Sequence, residues 1–119
     1  MAFHITTPVS AGELFDKISI LEIKLQRIPD PQKLQNIRTE LAVLQQSLSA
    51  HIHLTPELEQ QMTELKGINE TLWEIEDAIR ECERKKDFGP RFIELARSVY
   101  KNNDQRSAVK YKINSLNPA

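Results

Sequence analysis

The spacing of apolar residues, cut at intervals by proline, leaves this chain few alternatives to a bundle of helices. Leu14, Ile18, Leu21, Leu25 and Ile28 follow one another in alternating steps of four and three, and Leu34, Ile37, Leu41, Leu44 and Leu48 do the same. Side chains so spaced fall on one stripe of an α-helix, whereas a half-buried strand would alternate at every second residue. A third series, Leu58, Met62, Leu65, Ile68, Leu72, Ile75, Ile79 and Cys82, continues the pattern with steps of 4, 3, 3, 4, 3, 4 and 3. The two adjacent threes lie beside Gly67 and predict a bend or break there.

Capping chemistry supplies the starts. Ser10-Ala11-Gly12-Glu13 has the form of a capping box, and Asp30-Pro31 and Thr55-Pro56 each put a capping side chain before a proline whose missing N–H costs nothing at the first helical position. Gly89-Pro90 is a weaker version of the same signal. These marks predict helices over 11–28, 31–50, 56–86, 90–102 and 104–115. The expected fold is all-α: a single domain over 1–119, built as an antiparallel three-helix bundle with coiled-coil-like seams and two short C-terminal helices. Composition agrees: Val occurs only four times, and Leu, Glu, Lys, Gln and Arg are abundant, straight-chain residues that lose little rotamer freedom in a helix. Helix one carries a second apolar face, Ile20 and Ile23, which the C-terminal helices of the same chain or another subunit must cover.

Several function classes drop out. A lone cysteine, Cys82, makes neither an intrachain disulfide nor a thiolate zinc site. No apolar run approaches a membrane span, and Met1–Ser10 lacks the basic start and apolar stretch of a signal peptide, so a cytoplasmic location is expected. His51 and His53 have no third ligand at metal spacing, and the stripe Glu70, Glu74, Asp77 and Glu81 has no companion histidine. No cofactor or metal is implied. Walker, Rossmann and nucleophile-elbow motifs are absent from the sequence.

The formal net charge of −1 conceals an asymmetry. Residues 1–79 hold six Lys or Arg against twelve Asp or Glu, a balance of −6, and residues 80–119 hold ten against five, a balance of +5. The basic third either complements the acidic part of a bundle or meets an anionic partner. On helix three, Trp73, Asp77, Arg80 and Arg84 project within about 60° of one another. Such a strip either grips a planar anion or ties the helix surface together through local pairs, with Glu76 and Arg80 at i,i+4 and Trp73 covering a helix junction.

Two stretches carry a family resemblance. Pro8-Val9-Ser10, Gly12-Glu13-Leu14, Asp16-Lys17-Ile18, Ile20-Leu21-Glu22-Ile23-Lys24 and Arg27-Ile28 resemble the opening of an uncharacterised bacterial domain family of unknown function. Leu72-Trp73, Ile75-Glu76-Asp77, Ile79-Arg80, the segment Phe92-Ile93 with Leu95-Ala96-Arg97-Ser98-Val99-Tyr100, then Asn103-Asp104, Arg106 and Lys110, resemble its second half. The resemblance implies a small helical protein associated with surface-polysaccharide and glycosyltransferase functions, and a charged tail beyond the point where Ile113–Ala119 ends this sequence. It also marks Glu13, Asp16, Lys17, Arg27, Asp77, Arg80, Arg97, Asp104, Arg106 and Lys110 as motif positions. So many charged positions imply either an ion network that fixes helix register or a polar pocket for an anionic metabolite. The leading expectation is a non-catalytic cytosolic interaction or accessory protein that self-associates or binds a protein partner. The alternative is a small helical enzyme or binding protein in which Arg27, Arg80, Arg84 and Arg97 clamp an anionic ligand. RNA binding ranks third, because Phe88, Phe92, Tyr100 and Tyr111 fall mostly at core spacing.

Overall fold

The structure is a computed structural model and describes residues 5–116. The reading of the chain's first four and last three residues lies outside that range. Four helices account for most of the described chain: α1 (Ala11–Arg27), α2 (Pro31–His51), α3 (Pro56–Arg84) and α4 (Pro90–Leu116). Each of the first three starts at the side chain named for it by sequence. Ser10 Oγ accepts from the Glu13 N–H, Asp30 Oδ1 from Gln32, and Thr55 Oγ1 from Leu58. These bonds satisfy amides that the helix itself leaves without partners.

The helices run up, down, up, down. Along α1, contacts with α3 advance from Asn69, bonded to Ser19, to Glu74, paired with Arg27, so α1 and α3 are parallel. Contacts with α4 recede from Asn114, opposite Gly12, to Arg106, opposite Asp16, so that pair is antiparallel. α1 packs against all three other helices, and α3 and α4 pack along each other. The core gathers Leu14, Phe15, Ile18 and Leu21 of α1, Ile37, Leu41 and Leu48 of α2, Leu58 and Leu65 of α3, and Val109 and Ile113 of α4. Ile23 is buried and Ile20 partly so, both lining a groove with residues of α3 and α4. The second apolar face of α1 is therefore covered within the chain.

Two expectations are corrected. The two short C-terminal helices are one, the 27-residue α4. Asn102-Asn103-Asp104 has low helix propensity but contains no proline or glycine, and the side chains of the two asparagines are used within the helix, Asn102 donating to the Ser98 carbonyl and Asn103 accepting from Arg106. The inward residues Phe92, Leu95, Val99, Asn102, Arg106, Val109 and Ile113 also keep steps of three and four across that point, so packing favours continuity. α3 likewise passes Gly67 unbroken for 29 residues, ~44 Å at 1.5 Å per residue. Its buried line runs Leu58, Gln61, Leu65, Asn69 and Leu72. Two polar residues take seam positions that the apolar pattern gave to Met62 and Ile68, so the adjacent threes vanish. With them goes the reason for a bend.

Past Trp73, Cys82 is the only fully buried residue of α3, and α4 has none before Val109. α1 ends at Arg27, level with Glu74, so about ten further residues of α3, ~15 Å, run on with only α4 beside them. This projecting arm fits a radius of gyration of 16.4 Å, against about 13.5 Å for a compact chain of this length. The arm turns through a Schellman motif. The Asp87 N–H donates to the Cys82 carbonyl (2.9 Å) and the Lys86 N–H to Glu83 (3.1 Å), with Lys86 in the left-handed region at φ 55°. Asp87 Oδ1 then accepts from the Gly89 N–H, just before Pro90 opens α4.

Candidate functional site

The densest polar group lies inside the bundle, where α1, α3 and α4 meet. Asp16 is 3% exposed. Its Oδ1 accepts from Arg106 Nε and from Asn69 Nδ2, each at 2.9 Å, and its Oδ2 accepts from Arg106 Nη2. The guanidinium thus holds the carboxylate with two parallel bonds, a geometry that fixes direction as well as distance. Asn69 also donates to Ser19 Oγ (2.7 Å), whose own proton goes to the Asp16 carbonyl (2.9 Å). Lys110 Nζ stands 2.6 Å from Glu13 and 3.7 Å from Asp16, one turn along the same interface. One turn further, the Gly12 N–H donates to Asn114 Oδ1 (2.7 Å). There a Cβ on Gly12 would lie 2.6 Å from the Lys110 carbonyl oxygen, so this close approach of α1 and α4 requires glycine.

The electrostatics follow from this packing. Burial alone would raise the Asp16 pKa, but the hydrogen bonds from Arg106 and Asn69 and the charges of Arg106 and Lys110 outweigh it and hold the carboxyl below the usual range. Bonding to Asp16 pushes the Arg106 guanidinium the other way, further into its charged form. A carboxylate that is ionised and saturated with donors has little basicity to offer a substrate. No buried side-chain nitrogen or oxygen among the described residues lacks a partner. The cluster is a closed clip between helices.

The other charged positions named by sequence do not converge on it. Arg27 pairs with Glu74, Arg80 with Asp77 and Arg84 with Glu81, all at the surface. Arg80 thus takes Asp77 at i,i+3 where Glu76 at i,i+4 had been expected. Lys85 adds to the Glu81 pair, and the Arg84 hydrogen bond lowers the Glu81 pKa. Lys17, Arg97 and Asp104 are exposed and make no ion pair among the described residues. Of the four guanidiniums of the expected clamp, three each hold a carboxylate of their own and Arg97 faces solvent. Glu74, Asp77 and Glu81 of the carboxylate stripe are used by these pairs, and no cluster of three metal-binding side chains occurs among the described residues. Trp73 lines a groove of about 260 Å³ with Ile20, Ile23, Leu72, Glu76 and Arg106, and there it covers the junction of α1, α3 and α4.

Sequence reasoning missed Gly12, Ser19, Asn69 and Asn114. The available signal was the polar residue at an inward step of an apolar stripe, Asn69 four after Leu65 and three before Leu72.

The charge asymmetry resolves into three groups. Of the ten basic residues in 80–119, Arg106 and Lys110 reach acidic partners on α1, and Arg80, Arg84 and Lys85 pair within α3. Lys86, Arg91, Arg97, Lys101 and Lys112 make no ion pair among the described residues. Large apolar side chains stand exposed beside them: Phe88, Ile93, Tyr100 and Tyr111. No helix among the described residues is long and apolar enough to cross a membrane.

The model of a family described as "Family of unknown function (DUF6165)" matches residues 5–118. No curated protein and no solved structure matches.

Proposed function

The chain belongs to the DUF6165 family, whose function is unknown, and we propose that it acts as a non-catalytic protein-interaction module whose contact surface is α4 and the arm it forms with α3. One observation carries this reading. The arm runs past the end of α1 with no third helix beside it, and its outer side presents Phe88, Ile93 and Tyr100 at half exposure or more. Aromatic and aliphatic side chains flanked by basic ones are the usual make-up of a protein contact patch with a polar rim. The face mixes charge signs, with Arg97 and Lys101 exposed beside Glu94 and Asp104, so it suits a partner surface that also carries both. The charged motif inside the bundle has a separate task, which is to lock α4 in register on α1 and so hold this face in one orientation.

The test is affinity capture from source cells, comparing wild type with a variant that carries Tyr100→Ala, Arg97→Glu and Lys101→Glu. All three side chains are exposed, so the variant keeps its helical circular dichroism and melting temperature. Partners enriched by the wild type and lost by the variant support the proposal. A partner set unchanged by the variant, or no partner at all, refutes it.

A further inference from the structure

The outward side of α4 has a second regular stripe. Ile93, Arg97, Tyr100, Asp104, Ser107 and Tyr111 follow one another in steps of 4, 3, 4, 3 and 4, and all six are exposed. At about 100° per residue they share a strip about 80° wide, turned well away from the inward line through Val99 and Ile113. The spacing is that of a helix seam, yet no helix among the described residues covers it.

We infer that this stripe is the interface of a homodimer in which α4 packs antiparallel on α4 of a second copy, with the two-fold axis beside residue 102. This deepens the interaction reading above by naming the occupant of the face. Three features point to a second copy. The order of steps is the same read in either direction, so the six positions face one another in pairs when a second copy lies antiparallel about residue 102. Turned about residue 102, Ile93 meets Tyr111 of the second copy at both ends, and Tyr100 meets Asp104, which can accept from the phenol. The second feature is charge. Arg97 and Asp104 lie seven residues apart, ~10.5 Å along their own helix, too far to pair with each other. The antiparallel alignment places Arg97 about one turn from Asp104 of the second copy, twice per dimer, and so pairs two motif charges that have no ion-pair partner among the described residues.

The third feature is area. Ile93, Tyr100 and Tyr111 are 55%, 52% and 75% exposed and bring on the order of 400 Å² of side chain per copy. Two copies thus bring about 800 Å² of this side-chain surface together, the scale of a weak, transient contact. Area alone does not set affinity, and a weak dimer with a Kd on the order of 10–100 µM is the expected outcome.

Sedimentation equilibrium over about 5 to 500 µM protein, bracketing such a Kd, reads it directly. The wild type passes from monomer to dimer across that range. Arg97→Asp and Asp104→Arg each weaken the dimer at least about tenfold, because each sets like charges facing across the axis. The double variant R97D/D104R restores opposite charges and returns the Kd to within about threefold of wild type. Ile93→Ser supplies a check that involves no charge, and weakens the dimer while leaving the monomer folded. A wild type that is monomeric throughout the range overturns the inference, as does a double variant no tighter than the weaker single. Capture of a cellular partner by a wild type that stays monomeric also overturns it and leaves the interaction reading standing. Loss of both readouts removes the two together.

Discussion

Replacing Arg106 should destabilise the bundle more than replacing Asp16, although the two residues share one ion pair. In Arg106→Ala the Asp16 side chain, 4% exposed, keeps only the Asn69 bond and Lys110 at 3.7 Å. A buried charge that loses its main partner costs 3–5 kcal/mol, and the remaining neighbours reduce this to about 3 kcal/mol. In Asp16→Ala the orphaned guanidinium is 28% exposed and turns to water, and Asn69 keeps Ser19. About 1.5–2 kcal/mol is expected. The double variant should cost less than the sum of the singles, with a coupling energy of about 1–2 kcal/mol. Urea unfolding followed by far-ultraviolet circular dichroism measures all four corners of the cycle, with equal slopes confirming a common mechanism. Equal single-site costs, or additive ones, would refute the clip.

The same site sets an acid limb and predicts other variants. Asp16 has a lower pKa folded than unfolded, so its contribution is complete above the unfolded value near ~3.9 and is lost as pH falls through the folded value. The stability gap between wild type and Asp16→Ala should therefore be flat from about pH 5 to 8 and close below about pH 4; a gap that widens on acidification contradicts the ionised clip. Gly12→Ala should destabilise by about 1–3 kcal/mol, since its Cβ meets backbone, whereas Gly67→Ala, with open space around it, should stabilise by about 0.5–1 kcal/mol; thermal melts separate the two. Lys86→Gly should stabilise by about 1 kcal/mol by removing a side chain from the left-handed position of the Schellman turn, and a decrease in melting temperature would contradict that account.

What the sequence revealed and what it hid divide along a physical line. Helix starts at Ser10, Asp30, Thr55 and Pro90 were legible because capping is local, a matter of one side chain and amides two or three residues away. The C-terminal helices were divided wrongly because weak local propensity at Asn102–Asp104 is overridden by contacts ninety residues away, such as Arg106 with Asp16. The bend at Gly67 came from treating every inward position as apolar, which Gln61 and Asn69 are not. Asp16, Arg106, Lys110 and Glu13 were named as charged candidates, yet their convergence depends on the antiparallel register of α1 and α4. For Arg80 and Arg84 the sequence offers a ligand strip or local pairs, and the structure takes the second, with Asp77 and Glu81 as partners one turn away on the same helix.

The central claim is that the charged motif splits between an inward clip and an outward contact face on α4. Amide hydrogen exchange read by mass spectrometry at about 5 µM and about 500 µM protein, on either side of the expected Kd, tests it most directly, because association slows opening only where the contact forms. Slower exchange at the higher concentration, confined to peptides from residues 91–112 and absent from α1 and α2, is the predicted result. Exchange that is independent of concentration throughout, or slowed in α1 and α2 instead, would contradict it.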